Sequence, residues 1–404
     1  MGERVVVTGA GPAGMMAAGQ SALRGFKVTL IERNAVPGKK LAITGKGRCN
    51  LTNDCTVEEF LQNVPGDGRF LRSALSRFTP QDTRAFFDGL GVPTAAERGR
   101  RVFPESGKAA DVVDALTGWL RSLGVKTVTG RAERLRLDGS GVTGVIMGNR
   151  MVEAERVIIA TGGLSYPKTG SDGDGYKMAL QAGHTLVPAS PSLVPLLSPD
   201  GFCGDMQGLS LRNVTACMRG GGKTVWEEGP GEMLFTHFGI SGPLVLSASA
   251  HWREGMDFFI DLKPGLAEKQ LDARVLRDFA KYSARSLENS LGDLLHGRMI
   301  PVILALSGIP EGRRVAAVTQ AERGALARLI KNFPVRISGT RPIEEAVITR
   351  GGVSTREINP KTMESKLVRG LYFAGEVLDL DAYTGGYNLQ IAWSTGFAAG
   401  TGVE

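Results

Sequence analysis

The chain has little cysteine and little histidine. Its 404 residues include four cysteines and four histidines. The cysteines form no C-x-x-C pair and have no metal-ligand spacing with the histidines. We therefore expect no metal site, and we expect a protein whose thiols stay reduced.

Long apolar runs are also absent. No stretch reaches the roughly 18 residues that a membrane-spanning helix needs. The sequence opens on a strand pattern and not on a signal peptide. Apolar residues make up 42% of the chain and charged residues 22%, which is typical of a globular protein. These features predict a soluble, cytoplasmic protein with no membrane partner.

Glycine, in contrast, is abundant. The chain has 55 glycines, about twice the average share of roughly 7%. Because no Gly-X-Y period or low-complexity run explains them, they predict tight turns and close backbone approach to a ligand. The net charge of +7 favours an anionic ligand or partner. Lysine and arginine are spread along the sequence, so a solvated basic surface is the simpler interpretation, and nucleic acid is not required.

The N-terminal segment has the pattern of a dinucleotide-binding unit. A buried strand is predicted at 4–8, a helix at 13–24 and a second strand at 27–32. Between the first strand and the helix stands a G-x-G-x-x-G turn, in which the predicted contact residues are Gly9, Gly11, Pro12, Ala13 and Gly14. Its glycines permit the turn, let the backbone approach a pyrophosphate and let helix and strand pack closely. The helix N-terminus supplies N–H groups and partial positive charge to the phosphates.

The acid at the end of the second strand completes this unit. Glu32 follows Gly14 by eighteen positions, and we expect it to accept hydrogen bonds from ribose hydroxyls. A structural glycine turn without a ligand is the alternative.

The C-terminal segment decides between FAD and NAD. A predicted strand at 370–374 ends in Gly375 and Glu376. In two-dinucleotide-fold flavoproteins a similar segment returns to the cofactor, where an acid, usually Asp, hydrogen-bonds the ribityl chain. The segment from Thr384 to Asn388 then begins a helix whose amides could face the flavin edge that gains negative charge on reduction. An ordinary strand–turn–helix is the alternative. Because this C-terminal segment occurs together with the N-terminal glycine turn, the sequence predicts FAD.

Two further segments are expected beside the cofactor. Thr161 and Gly162 follow a predicted strand at 156–160 and allow a sharp turn. The segment 38–53, rich in glycine, cations and amides, reads as a loop that wraps the pyrophosphate and approaches the flavin ring; a solvated basic loop is the alternative. From this region and the strand before it we predict cofactor contacts at Arg33, Lys40, Gly47, Arg48 and Asn50.

Four prolines between residues 188 and 199 indicate a boundary between domains. We predict an FAD-binding domain at 1–190 and 345–404, with an insertion at 191–344. The insertion is expected to be β-rich at 191–262 and 333–344 and helical at 263–332. A turn is predicted at 138–141.

Several motifs resemble one known family. The segments 9–14, 38–53, 160–176, 234–243 and 373–396 are similar to the bacterial HI0933-like flavoprotein family, whose members are often called BaiN-type NAD(P)/FAD-dependent oxidoreductases or aminoacetone-oxidase-family enzymes. The resemblance implies an α/β fold: a Rossmann-like two-dinucleotide-fold FAD domain interrupted by a β-barrel-like and three-helix insertion. On the same basis Ala132 is a backbone contact to adenine, and Gly386, Asn388 and Leu389 belong to the cofactor site.

We expect an FAD-dependent oxidoreductase that transfers hydride between the flavin and a small molecule, with NAD(P)H as candidate donor. The insertion could cap a substrate pocket over the flavin. Without a second G-x-G-x-x-G between strand and helix, nicotinamide would visit the flavin only transiently. Reduction of an activated C=C bond and oxidation of a small amine both fit. An RNA-associated, tRNA-modifying-like flavoprotein and a protein with a structural flavin are the alternatives.

Catalytic side chains are less defined by the sequence. Arg48, His237 and Tyr387 are candidates because their motifs should approach the ring. For His237, a satisfied core residue is the commoner alternative. Cys49 lacks a C-x-x-C partner and reads as a packing residue more than a redox thiol.

Overall fold

The computed structural model describes residues 3–139 and 141–404. The turn predicted at 138–141 includes Ser140, which lies outside the described residues. The described chain divides into two compact units, one made of the residues up to Ser192 together with Pro342–Glu404, the other of Leu193–Arg341.

The strands, in chain order, are β1 Arg4–Thr8, β2 Lys27–Glu32, β3 Thr52–Asn53, β4 Thr94–Ala96, β5 Arg101–Pro104, β6 Lys126–Thr129, β7 Arg134–Asp138, β8 Gly141–Met147, β9 Arg150–Glu153, β10 Arg156–Ile159, β11 Leu186–Ser192, β12 Leu196–Leu197, β13 Ser210–Gly220, β14 Lys223–Thr236, β15 Gly239–Ser241, β16 Asp257–Asp261, β17 Phe333–Val335, β18 Gly339–Thr340, β19 Ile348–Val353 and β20 Leu371–Phe373.

The α-helices are α1 Pro12–Leu23, α2 Lys39–Gly47, α3 Val57–Leu61, α4 Arg72–Arg77, α5 Pro80–Gly89, α6 Ala109–Ser122, α7 Asp174–Gln181, α8 Phe202–Asp205, α9 Pro243–Ser249, α10 Glu268–Lys281, α11 Met299–Ser307, α12 Gln320–Lys331 and α13 Tyr387–Gly402.

The first unit is built on a parallel sheet with the strand order β20-β10-β1-β2-β6. The central strand β1 carries Val5, Val6 and Val7, all fully buried, as expected for a strand covered on both faces. Its partners β10 and β2 run parallel on either side. Strands from the two ends of the chain therefore form one sheet, which confirms the predicted α/β, Rossmann-like fold.

Helices α1 and α13 pack closely because both carry small residues at their contact. A Cβ on Gly396 would collide with the carbonyl oxygen of Ala13, and a Cβ on Gly400 would lie 2.5 Å from that of Ala17. Close helix approach of this kind places the N-terminus of α13 on the same side of the sheet as α1.

A buried polar network fixes α13 further. The Oε1 of Gln390 accepts hydrogen bonds from the hydroxyls of Thr52 and Thr83, both at 2.7 Å. Its Nε2 donates to the carbonyl of Phe78 at 3.0 Å and to Ser394 Oγ at 2.9 Å. All four polar valences of this buried amide are satisfied, so the network fixes the register of α13.

The second unit contains a seven-stranded antiparallel sheet in the order β17-β16-β13-β14-β15-β12-β18. Its longest strands, β13 and β14, pair as a hairpin with several register shifts. Helices α10, α11 and α12 follow β16 in the chain and return to it through β17.

Candidate functional site

The carboxyl ends of four parallel strands meet along one edge of the first unit's sheet. Gly9 follows β1, Arg33 follows β2, Thr161 comes soon after β10 and Gly375 comes soon after β20. Open α/β sheets bind their ligands outside these ends. The fold thus brings residues predicted from distant parts of the sequence to one edge.

In the glycine turn after β1, each of the three glycines is explained by a different structural feature. The N–H of Gly9 donates to Ile31 O at 2.8 Å, and its φ of +93° lies in the left-handed region. A Cβ on Gly14 would collide with the carbonyl of Gly9, so this position is required by packing. A Cβ on Gly11, in contrast, would meet no atom of the described residues within 4 Å. The second glycine therefore leaves open space at the start of α1, where Pro12 and Ala13 begin the helix.

The side chain of Glu32 is hydrogen-bonded to the glycine turn after β1. Its Oε2 accepts the Ala10 N–H at 2.7 Å, and its Oε1 accepts both the N–H and the Nδ2 of Asn34 at 2.8 and 2.7 Å. Each carboxylate oxygen has two lone pairs, so Oε2 retains acceptor capacity for a hydroxyl. The carboxylate is buried and oriented before any ligand arrives.

Arg33 and the neighbourhood of Ala132 are joined by two aspartates that sequence reasoning missed. Asp172 forms ion pairs with Arg33 and Arg131, and Arg131 holds Asp174 through two bonds of 2.6 Å. Burial raises the pKa of Asp174, but its bonds to Arg131 and Lys177 outweigh this, and the net pKa is lowered. The feature of the sequence that could have indicated these two aspartates is the repeated Asp-Gly of residues 172–175, which follows the segment containing Thr161.

Lys40 and Glu376, both predicted contacts, form one half-buried cluster. Lys40 Nζ lies 2.7 Å from Glu376 Oε2 and 2.6 Å from Ser165 Oγ. Glu376 Oε1 accepts the Ser165 hydroxyl and the Thr349 N–H, both at 2.8 Å. The Thr349 Oγ1 in turn accepts the backbone N–H of Leu164 and of Ser165. Ser165 and Thr349 were not predicted, because their roles depend on tertiary contacts.

The segment 38–53 was predicted as a loop, and this is wrong for its first half. Residues Lys39–Gly47 form α2, with non-helical backbone at Thr44, Gly45 and Lys46. The helix forms because Lys39 to Ile43 contains neither glycine nor proline, whereas Gly45 and Gly47 with positive φ end it.

The last part of this segment approaches the start of α13. With its amide oxygen toward the helix, Asn50 accepts the Gly386 N–H at 2.9 Å and donates to Thr52 O at 3.1 Å. Gly47 is exposed with a φ of +83°, and in the described part of the chain no atom lies within 4 Å of a Cβ built there. Arg48 forms an ion pair with Glu97 and stands over the Phe103 ring, 4.2 Å from its centroid.

The predicted contact residues at the N-terminus of α13 have different surroundings and different roles. Gly386 adopts a φ of +99°, and a Cβ there would collide with Thr52 O. The Asn388 side chain bonds the backbone of Ala382 through both its oxygen and its nitrogen, at 2.9 and 2.7 Å, so it fixes the preceding turn. Leu389 is half-buried.

Tyr387 and His237, two of the weak catalytic candidates, lie in contrasting surroundings. Tyr387 is buried, with its ring 5.1 Å from Phe60 in an edge-on contact, so it packs in the core. His237 is exposed on the two-residue turn between β14 and β15, so the satisfied core histidine is wrong. That interpretation failed because Phe235 and Ile240 belong to the strands on either side of the turn, while His237 and Phe238 form the turn itself.

Cys49 fits the packing interpretation. It is fully buried, and burial raises the pKa of its thiol to about 12. A thiol with such a pKa is protonated and unreactive at neutral pH.

Buried polar atoms at the sheet edge remain without a hydrogen-bond partner among the described residues. They are the Oγ1 of Thr161, the hydroxyl of Tyr176 and the Oδ1 of Asp172. Such orphans are uncommon and call for a ligand or water. Phosphates, ribose hydroxyls and a ribityl chain are the groups that could satisfy them, so the residues present fit FAD.

The described residues, 3–139 and 141–404, include neither a candidate metal cluster nor a candidate membrane-spanning helix. Within these ranges no group of three or more His, Cys, Asp or Glu side chains could hold a metal ion. In the same ranges no helix has both the length and the apolar character to cross a membrane.

The sequence matches a family model described as the HI0933-like protein Rossmann domain over residues 3–402. It is 34% identical over 407 residues to a 3-dehydro-bile acid delta(4,6)-reductase of Clostridium scindens, covering 98% of each chain. It is 33% identical to a ribosomal RNA dihydrouridine synthase of Escherichia coli, covering 97% of this chain and 96% of that one.

Solved structures support the fold. A 3-ketosteroid-delta4-(5alpha)-dehydrogenase from Rhodococcus jostii is similar over 98% of this chain and 97% of that one, with a TM-score of 0.54 and 16% identity. The confirmed family, the parallel sheet and the glycine turn agree with each other. The chain therefore belongs to the HI0933-like family, and it is an FAD-dependent oxidoreductase.

Proposed function

We propose that this enzyme reduces a C=C bond conjugated to a carbonyl group, with NAD(P)H as the electron donor. The observation that carries the proposal is the chemistry shared by two of its full-length relatives. A double bond at position 4 of a 3-oxo steroid is conjugated to the ketone, and the bond saturated in dihydrouridine is conjugated to the uracil C4 carbonyl. Both names thus describe adding two hydrogens to the same electronic unit.

The described residues supply binding and orientation. The open space at Gly11 and the N-terminus of α1 suit the pyrophosphate, and Glu32 suits the ribose hydroxyls. Lys40 and Glu376 would hold the ribityl region, and the N-terminus of α13 would face the flavin ring. FAD, when bound, supplies a two-electron carrier that takes up and releases hydride.

NAD(P)H is the proposed donor because reduction of such a bond consumes two electrons from outside the chain. The sequence has no second G-x-G-x-x-G between a strand and a helix. The nicotinamide would therefore bind transiently and leave before the acceptor binds, which predicts ping-pong kinetics.

Anaerobic rapid mixing tests the donor. Holoprotein mixed with NADH or with NADPH should lose its visible flavin absorbance, and a conjugated enone added afterwards should restore it. Lack of bleaching with both nucleotides, in a protein that dithionite does bleach, would exclude them as donors. Lack of bleaching with dithionite, and no reaction with sulfite, would favour a structural flavin.

A nucleic-acid substrate is the second candidate. Relatives in Escherichia coli and Haemophilus influenzae are named as ribosomal RNA dihydrouridine synthases, at 33% and 32% identity, and this chain carries a net charge of +7. If uridine in RNA is the acceptor, the protein should shift the mobility of ribosomal RNA fragments in a salt-sensitive way. Unchanged mobility at low salt would leave a small molecule as the acceptor.

A further inference from the structure

Two exposed loops of the first unit meet around Phe103. One is the end of α2 and the residues after it; the other joins β4 to β5. The guanidinium carbon of Arg48 lies 4.2 Å from the Phe103 ring centroid, and that of Arg101 lies 5.9 Å from it. A Cβ on Gly45 would lie 3.3 Å from the Phe103 ring. The ring is itself buried, so it holds the two loops together.

These loops carry more positive charge than their acids balance. We call Lys46, Arg48, Arg98 and Arg101 the arginine patch; all four are exposed. One carboxylate, Glu97, lies among them, and four cations with one anion leave a net charge of +3. Arg48 bonds Glu97 and is the main cause of that carboxyl's lowered pKa, with a smaller contribution from Arg101.

Two of the cations stay available to a ligand. Among residues 3–139 and 141–404, neither Lys46 nor Arg98 forms an ion pair. Arg101 donates to the carbonyl oxygen of Arg98 at 3.1 Å, which positions its guanidinium without neutralising it. Arg100, by contrast, is bound to Glu59 at 2.8 Å and does not contribute to the patch.

The backbone of both loops is held in an uncommon conformation. Lys46 and Arg100 have φ values of +59° and +58°, which side chains with a Cβ rarely adopt. The neighbouring Gly45, Gly47 and Gly99 also have positive φ. Such strain clusters at ligand-binding loops, where it presents groups in a fixed arrangement.

Hydrogen bonds connect the arginine patch to the proposed cofactor site. Asn53 Nδ2 donates to the carbonyl oxygens of Gly99 and of Gly385, both at 3.1 Å. Gly385 directly precedes the N-terminus of α13. The patch thus lies beside the segment that would face the flavin.

We propose that the arginine patch binds a phosphate group carried by one of the reactants. This rests on the proposed function, which supplies two phosphate-bearing candidates, the 2′-phosphate of NADPH and the backbone of an RNA substrate. Arginine suits either, because its planar fork of donors matches phosphate oxygens and keeps its charge. Arg98 and Arg101, together with Lys46, would bind the phosphate while the reacting ring reaches the flavin.

Equilibrium binding to the oxidised holoprotein tests this without turnover. The test variant is the double substitution Arg98→Gln and Arg101→Gln. The matched control is Arg314→Gln with Arg328→Gln, two exposed arginines of the second unit that lose the same charge. The probes are adenosine 2′,5′-bisphosphate, with adenosine 5′-monophosphate for comparison, and a fluorescent uridine-containing RNA oligonucleotide.

We expect the test variant to bind one probe roughly tenfold or more weakly than the control variant does. Selective loss of the 2′,5′-bisphosphate assigns the patch to NADPH, and it should be matched by a raised KM for NADPH with that for NADH unchanged. Selective loss of RNA, with a salt dependence shallower by about two charges, assigns it to the RNA backbone. Equal binding of both probes by the test and control variants overturns the proposal.

The two proposals fail separately. A protein that reduces no conjugated C=C bond but loses phosphate binding on substitution contradicts only the proposed function. A protein that reduces such bonds while the variant binds both probes normally contradicts only the phosphate-binding patch.

Discussion

Lys40 Nζ and Glu376 Oε2 lie 2.7 Å apart, although the two residues are 336 positions apart in the sequence. Their side chains are 20% and 16% exposed, so neither charge is fully hydrated. The pair joins α2, which follows the first βαβ unit, to the turn after β20. It directly joins the two terminal segments that were predicted to hold the cofactor.

Replacing Lys40 by Met should therefore affect both stability and cofactor binding. Glu376 would keep its bonds to Ser165 and Thr349 but lose its counter-ion in a half-buried position. We expect a loss of about 1–3 kcal/mol in the free energy of unfolding of the flavin-free protein, below the full cost of breaking a buried pair. Lys39→Met is the control, because Lys39 is exposed and donates to the Lys168 carbonyl oxygen rather than to a carboxylate. Equal denaturation midpoints for the two variants would show that the pair is not stabilising.

The glycine turn offers a test that separates folding from binding. Gly14→Ala should misfold or unfold at low temperature, because its Cβ collides with backbone at Gly9. Gly11→Ala should keep its melting temperature when free of flavin, since no described residue meets its Cβ, but should bind FAD at least about tenfold more weakly. Titration of the flavin-free proteins with FAD measures this. Undiminished affinity in a folded Gly11→Ala variant would remove the turn from the pyrophosphate site.

His184 should make stability depend on pH. It is buried between Glu357 and Ser365, with its Nδ1 3.1 Å from Glu357 and its Nε2 2.8 Å from the Ser365 hydroxyl. Burial lowers its pKa, and the opposing effect of Glu357 is smaller. Because the unfolded chain takes up this proton first, the stabilisation is complete above the unfolded pKa of about 6.5 and is lost as the pH falls through the lower folded value.

The measurement is urea unfolding between neutral and mildly acidic pH. His184→Gln should be less stable at neutral pH and should show a shallower decline on acidification than the native chain. His296→Gln, at an exposed site, should follow the native curve. A decline that is unchanged by loss of His184 would assign it to other groups.

The buried amide of Gln390 should be sensitive to loss of its polar atoms. Gln390→Leu keeps a similar volume but leaves the hydroxyls of Thr52 and Thr83 with one fewer buried acceptor. We expect destabilisation of about 2–4 kcal/mol by urea unfolding. The triple variant that also carries Thr52→Val and Thr83→Val should recover part of this, because no orphaned hydroxyl then remains at these two positions. No recovery would show that the cost lies in packing.

The sequence was sufficient to predict the strands, helices and glycine turn whose signals are local. Helix α12 lies within the region predicted to be helical, and α13 begins inside the segment 384–388 predicted to start a helix, since caps and periodicity lie within a few residues. The partners of Glu376 could not be predicted in this way. Ser165 and Thr349 are ordinary in sequence, and their roles appear only when β10, β19 and β20 meet.

The direction in which individual side chains lie could not be predicted from the sequence either. Tyr387 and Asn388 belong to a motif similar to that of known flavoproteins, yet one packs on Phe60 and the other bonds its own turn. A motif indicates which backbone is needed, but burial decides which of its side chains reach a ligand.

Reduction of a C=C bond conjugated to a carbonyl can be followed through the flavin itself. Holoprotein reduced under anaerobic conditions is mixed rapidly with a 4-ene-3-oxosteroid and, separately, with a uridine-containing RNA fragment. At least one of these acceptors should restore the oxidised flavin spectrum, with one saturated product formed per flavin. Flavin that stays reduced with both acceptors, yet is reoxidised by oxygen, would contradict the proposed reaction.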